Sequence, residues 1–296
     1  MVPIVEAANS YGTLGFIDAS ALMVPACTRV IAMEFRIHPT NDMTERPFIL
    51  GESTWKTVDP TAYEVAILPW GATEAHNYHL PYATDSIQSS HVAAQAAERA
   101  WNRGARVVAL PVVPFGVNTT QLNIKLCLNM NPSTQLALLG DLVSALNGQG
   151  IHKLLILNGH GGNDFRQMIR QLQPTTRVFL SVINWYSCVD PSQFIEERGD
   201  HAGEAETSAM LYIAPELVRS LDQAGPGHAR PSRLRGIREG WAWAPRRWTQ
   251  VSADTGIGDP SKATKRKGDA YVNAAVDQIA DFLVELAALN LDDLYD

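Results

Sequence analysis

Four apolar runs recur along the chain, at 65–69, 105–113, 151–157 and 178–183, each bounded by glycine, proline or polar residues. Runs this short and rich in Val, Ile and Leu read as buried strands. Between them the spacing becomes helical. Residues 86–103 carry Ala93, Ala94, Ala96, Ala97 and Ala100 as small packing positions, and 132–146 sets leucines at helical spacing behind Pro132. Further helices are expected through Phe165, Met168 and Leu172 with Asn163 as cap, over 202–213, and over about 261–289. Strand and helix in turn predict an α/β fold, a three-layer α/β/α arrangement around a mostly parallel sheet.

Two stretches fall outside this rhythm. Residues 11–28 are fairly apolar, but no Lys or Arg precedes Arg29, and Glu6, Asp18 and Pro25 punctuate the region. It lacks the basic start of a signal peptide and makes a poor membrane span. Residues 1–43 therefore read as an N-terminal extension to a main domain at 44–296; an added strand or hairpin, or an upstream start codon, would account for it equally. Residues 221–260 are rich in Gly, Pro and Arg, with Trp241, Trp243 and Trp248 around Pro245-Arg246-Arg247. A loop this long that carries tryptophans suits a lid, a subunit contact, or both.

The chemistry is concentrated in three polar loops. The first strand runs into Gly71 and then Glu74-Ala75-His76-Asn77-Tyr78-His79, closing at Asp85. Carboxylates and imidazoles together are the ligand set of zinc, iron or manganese, although a loop that is simply rich in His and acids is the plain alternative. The third strand opens into Asn158-Gly159-His160-Gly161-Gly162-Asn163, whose glycines let the backbone approach a metal or substrate. The last is Asp200-His201-Ala202-Gly203-Glu204-Ala205-Glu206, ahead of an apolar helix. Ligands of open α/β sheets collect where strands end, so three such loops suggest one assembled site.

Composition narrows the partners more than the fold. The 296 residues and 46% apolar content suit one globular enzyme domain. A net charge of −7 argues against nucleic acid and anionic membranes. Cys27, Cys127 and Cys188 form no C-x-x-C pair, which fits a reducing cytoplasm better than a disulfide framework.

In order and spacing, Glu74, His76 and Asp85, then Asn158 to Asn163, then His201 to Glu204 resemble the motifs of the creatininase family of metal-dependent amidohydrolases. That resemblance implies one or two divalent ions (Zn, Fe or Mn), with Asp85 bridging, Glu74 and His160 on one metal and His76 on the other. It places His201 as proton shuttle, with Asp200 or a neighbouring acid to orient it. The family's type enzyme places a ligand Glu where this chain has Gly162; Glu206 is the candidate replacement, with water or Glu204 as alternatives. Helical geometry sets Glu204 and Glu206 about 200° apart, so one of them at most faces the site. Tyr78, Gly161, Gly162, Asp200 and Trp185 are the expected substrate contacts, and Tyr78 and Asn77 depart from the family's Pro and Gly in ways expected to bulk the entrance. His79 is expected to be structural. The implied activity is hydrolysis of a C–N bond in a small amide, cyclic amide or formamide by an activated water, in a homo-oligomer and commonly a hexamer. A metal-binding or assembly protein without turnover, and a metal lyase or isomerase on the same fold, are the alternatives.

Overall fold

The structure is a computed structural model that describes residues 45–295. The expected extension at 1–43 and the domain boundary beside it lie outside the described residues. Four strands, β1 (Val65–Trp70), β2 (Val107–Ala109), β3 (Lys153–Asn158) and β4 (Phe179–Asn184), form one parallel sheet in the order β2-β1-β3-β4. Five longer helices flank it: α1 (Thr84–Asn102), α2 (Pro132–Gly148), α3 (Arg166–Leu172), α4 (Glu204–Ile213) and α5 (Lys265–Ala288).

Alternation along the strands decides which helix covers which face. Val65, Ile67, Leu155 and Leu157 join the alanine face of α1, the apolar stripe of α5 and Ala209 of α4 in one core. Ala66, Leu68, Trp70, Leu154 and Ile156 join Leu139, Val143 and Leu146 of α2 and Met168 of α3 in the other. Every residue of β1 is buried, because a parallel strand covered on both faces has no polar side. The fold is thus the expected three-layer α/β/α sandwich. No described helix is long and apolar enough to cross a membrane.

Register brings the chemistry together. Trp70 pairs with Asn158 and Asn158 with Asn184, so β1, β3 and β4 end level and release their loops side by side. A backbone-close crossing seats α4 beside them: a Cβ on Gly268 of α5 would run into Ser208 O, so only glycine lets the two helices approach this far.

Two local expectations are corrected, and the start of α5 adds a set of ion pairs. The run 105–113 yields only the three residues of β2, because Pro111 and Pro114 have no N–H to give a ladder. The chain continues as single bridges, Trp70 with Val113 and Gly116 with Asn129. Asn163 does not cap α3; its Oδ1 accepts from Val117 N and Gln135 Nε2, and Asp164 Oδ1 takes the Arg166 N–H at 3.1 Å instead. The lysines at the start of α5 are more than a solvated face: Lys267 pairs with Glu196 and buried Glu204, and Lys262 with Glu197 at 2.7 Å.

Candidate metal centre

Glu74 and His76 sit in the loop after β1, Asp85 in the first turn of α1, His160 just past β3, and His201 with Glu206 at the start of α4. Glu74, His76, Asp85, His160 and His201 are all buried. Asn77 makes the first loop possible, turning the chain through a left-handed φ of 56°, which Asn tolerates better than most residues. Its side chain is bonded to Gly225 N and O, tying this loop to the long segment near the C-terminus.

Each of the three imidazoles turns one nitrogen outward to a backbone carbonyl. His76 Nδ1 meets Glu74 O at 3.1 Å, His160 Nε2 meets Val117 O at 3.1 Å, and His201 Nε2 meets Ala75 O at 2.8 Å. A carbonyl only accepts, so these nitrogens carry protons and the opposite nitrogens face inward as potential ligands. His76 Nε2 then lies 3.1 Å from Asp85 Oδ1 and 3.4 Å from Glu206 Oε1. His160 Nδ1 lies 3.0 Å from both Glu74 Oε1 and Asp85 Oδ2. His201 Nδ1 stands 3.8 Å from Glu74 Oε1, its ring stacked 4.2 Å from that of His76.

These atoms fall into three metal-sized groups: Glu74, Asp85 and His160; His76, Asp85 and Glu206; and Glu74, His76 and His201. Asp85 Oδ2 is buried and takes no hydrogen bond, with His160 Nδ1 standing 3.0 Å away. Three carboxylates converge here with no Lys or Arg to balance them, and an orphaned oxygen among them is the arrangement a divalent cation completes. The donor set fits such an ion.

The electrostatics agree. Burial alone lowers the His76 pKa, but Glu206 and Asp85 outweigh it and hold the imidazole well above its ordinary value. His160 follows the same pattern through Glu74 and Asp85. Burial would raise Asp85, yet His76 and His160 hold it well below the carboxylate range. Glu206 is likewise lowered against its burial, chiefly by His76.

Geometry also separates the two glutamates of α4. Glu204 is fully buried but engaged elsewhere, with Lys267 and the backbone N–H groups of Glu196 and Glu197. Glu206 is the one turned to His76. At Gly162 no side chain fits, because a Cβ would meet Val117 O and the His160 ring.

A cavity of about 1590 Å³ opens over the cluster, lined by Glu74, Asp85, His160, His201 and Glu206 together with Gly161, Gly162, Asp200 and Trp185. Trp185 is also part of the core. One expected contact and one expected role differ. Tyr78 points outward, 59% exposed, and does not line the cavity, because the turn at Asn77 swings it away. Asp200 does not orient His201; its carboxylate pairs with Arg246, and Ala75 O holds the imidazole. His79 is structural, fully buried against Thr207 Oγ1 at 2.8 Å, and burial lowers its pKa to about 4.

Two residues were not anticipated, and a third belongs to the segment expected to act as a lid. Tyr186, just past β4, lines the cavity, and burial together with Asp85, Glu206 and Asp200 pushes its pKa up to about 12, so it stays a proton donor. Its position at a level strand end was the available signal. Gln121 Nε2 holds the second oxygen of Glu74, while Cys127 Sγ donates to Gln121 Oε1 at 3.3 Å; nothing in the sequence announces that contact. Trp248 packs edge-on to His201, centroids 5.0 Å apart, and roofs it.

A family model described as creatinine amidohydrolase matches residues 51–283. A mycofactocin precursor peptide peptidase from Mycobacterium ulcerans (strain Agy99) is 29% identical over 237 residues, 77% of this chain and 87% of that protein. A creatinine amidohydrolase from Pseudomonas putida is 27% identical over 273 residues, 82% and 98% of the two chains. Among solved structures, a Bacteroides fragilis NCTC 9343 protein provisionally named a creatinine amidohydrolase superposes with a TM-score of 0.80 at 42% identity, covering 83% of this chain and 99% of that one. With the motifs, the sandwich and a divalent-metal donor set all in place, this chain belongs to the creatininase family and is an amidohydrolase.

Proposed function

We propose that the chain hydrolyses an amide in the cavity above Asp85, using two divalent cations. Glu74, Asp85 and His160 would hold one, and His76, Asp85 and Glu206 the other, leaving Asp85 common to both. The observation that carries this reading is the inward convergence of imidazole nitrogens and carboxylates around the orphaned Asp85 Oδ2. Zinc, iron and manganese all suit such a mixed nitrogen and oxygen set. Bound there, such ions polarise a carbonyl and bring the pKa of a water towards neutrality.

The protein's own groups do the rest. His201 keeps its Nε2–H on Ala75 O, which leaves Nδ1 able to take a proton and return it to the leaving nitrogen. Tyr186 O–H, with the N–H groups of Gly161 and Gly162, lies where the carbonyl oxygen would gain charge. Gln121 fixes the orientation of Glu74. Trp248 and the segment around it restrict water over His201.

Metal loading is the direct test. Protein purified without chelator should contain zinc, iron or manganese by elemental analysis, and chelation should abolish amide hydrolysis until metal is returned. Less than about half an equivalent, with no activity rescued by added metal, would sink the proposal. Because His76 and His160 have raised pKa values, both are protonated in the metal-free protein around neutrality. Loading must therefore release about two protons per filled site pair, and apparent affinity should rise with pH until both imidazoles lose theirs. Indicator titration reads this; uptake without proton release would place the metal elsewhere. Retention of ¹⁸O from labelled water in the product separates hydrolysis from the lyase and isomerase readings.

The same reading includes a cytoplasmic homo-oligomer. Free Cys127 and Cys188 support the compartment, and exposed Leu234, Trp241 and Trp243 form an apolar surface suited to a second copy. A monomer by light scattering at micromolar concentration would remove the oligomer from the proposal.

A further inference from the structure

The chain is acidic overall, yet residues 229–251 hold six arginines against one acid, Glu239. Five of these arginines, at 230, 233, 238, 246 and 247, line the cavity over the metal centre. Arg246 is occupied by Asp200, while Arg235, outside the cavity, pairs with Glu239. No acid among the described residues stands within ion-pair distance of Arg230, Arg233 or Arg247. The acids that line the cavity are Asp200 and, in the cluster, buried Glu74 and Asp85 with half-buried Glu206. Charge is thus divided within one cavity, carboxylates at its floor and unpaired guanidinium groups at its exposed rim.

We infer that this rim is an anion-binding wall, and that the amide cleaved here carries a carboxylate or phosphate group away from the scissile bond; the substrate class rests on the hydrolase reading. Like charges held side by side repel one another, and a bound anion relieves that repulsion. Guanidinium forks match the paired oxygens of carboxylates and phosphates, which the ammonium of lysine does not. Trp243, 86% exposed on the same wall, offers a flat apolar face to the body of such a substrate. Size points the same way. At about 1590 Å³ the cavity exceeds the roughly 300–1,000 Å³ of ordinary small-ligand sites, leaving room for a substrate that reaches from floor to rim.

The test uses the metal-loaded full chain and three matched probes: an N-formyl dipeptide with a free carboxylate, its methyl ester, and an N-formyl amine ending in a phosphate monoester. Hydrolysis and tryptophan-fluorescence titration are both recorded. At least one anionic probe should bind about tenfold or more tightly than the ester, with the gap narrowing as salt is raised. Which anion is preferred identifies the group. The combined variant Arg230→Gln, Arg233→Gln, Arg247→Gln should lose most of that preference with its metal content unchanged, and Arg235→Gln should keep it. Equal binding of acid, ester and phosphate would overturn the proposal. So would a variant whose preference survives while its oligomer dissociates, since the arginines would then be meeting a second copy. If anion-selective binding appears without turnover of any probe, the wall stands and the hydrolase reading fails; turnover without selectivity gives the reverse.

Discussion

Asp85→Ala should cost the protein both its metals and its turnover, whereas His201→Ala should keep the metals and lose rate alone. Asp85 lies in the first turn of α1 with its two oxygens 3.1 Å from His76 Nε2 and 3.0 Å from His160 Nδ1. Glu74 cannot take over that span. It approaches both imidazoles with the same oxygen, at 3.0 and 3.9 Å, while its other oxygen is held by Gln121. Removing Asp85 therefore leaves two half-sites and no common ligand. Asp85→Asn, which keeps the shape, separates ligand loss from misfolding: it should fold normally and still fail to load fully. For His201 the expected loss is about 10²–10⁴-fold in rate, the usual worth of positioned acid–base help. Tyr186→Phe removes a donor and no ligand, so it belongs with His201 in retaining metal. The third metal-sized group, Glu74 with His76 and His201, supplies the contrary outcome. If His201→Ala empties as Asp85→Ala does, His201 is a ligand and the proton must travel by Tyr186 or Glu206.

The site was legible in the sequence to the extent that it hangs on strands. The apolar runs before Gly71 and Asn158 mark β1 and β3, and the level register of Trp70, Asn158 and Asn184 turns two distant loops into neighbours. The third loop showed as acids and a His ahead of an apolar helix, but it follows no strand and reaches the site where Gly268 lets α5 press against α4. What could not be read was tertiary. Asn163 obeys a network with Asn158, Gln135 and Val117 instead of the local capping rule. Tyr78 leaves the cavity through a single left-handed turn, and Gln121 arrives from a loop without regular pattern. The arginines of 229–251 were visible as composition, but their common cavity was not.

Glu206→Ala should remove about half of the bound metal and lower turnover by more than about 10²-fold, since even groups that merely orient ligands are worth 10–100-fold. Glu206 Oε1 stands 3.4 Å from His76 Nε2, and its other oxygen is fixed by the Ala202 N–H at 2.5 Å, so the carboxylate is held in place before any ion arrives. Glu204→Ala makes the control. It should keep its metal while losing stability, on the order of 2 kcal/mol, because the N–H groups of Glu196 and Glu197 would lose their buried acceptor, while Lys267 keeps Glu196. Denaturant unfolding reads that cost. The obvious repair, restoring a glutamate at position 162, should not work. A Cβ there runs into Val117 O and the His160 ring, so Gly162→Glu must break the contact that turns His160 Nδ1 inward and weaken the other metal as well. The double variant Gly162→Glu, Glu206→Ala should therefore bind less metal than Glu206→Ala alone. If instead it regains full loading, the carboxylate can be supplied from either loop, and the packing around His160 is not what bars a ligand at position 162.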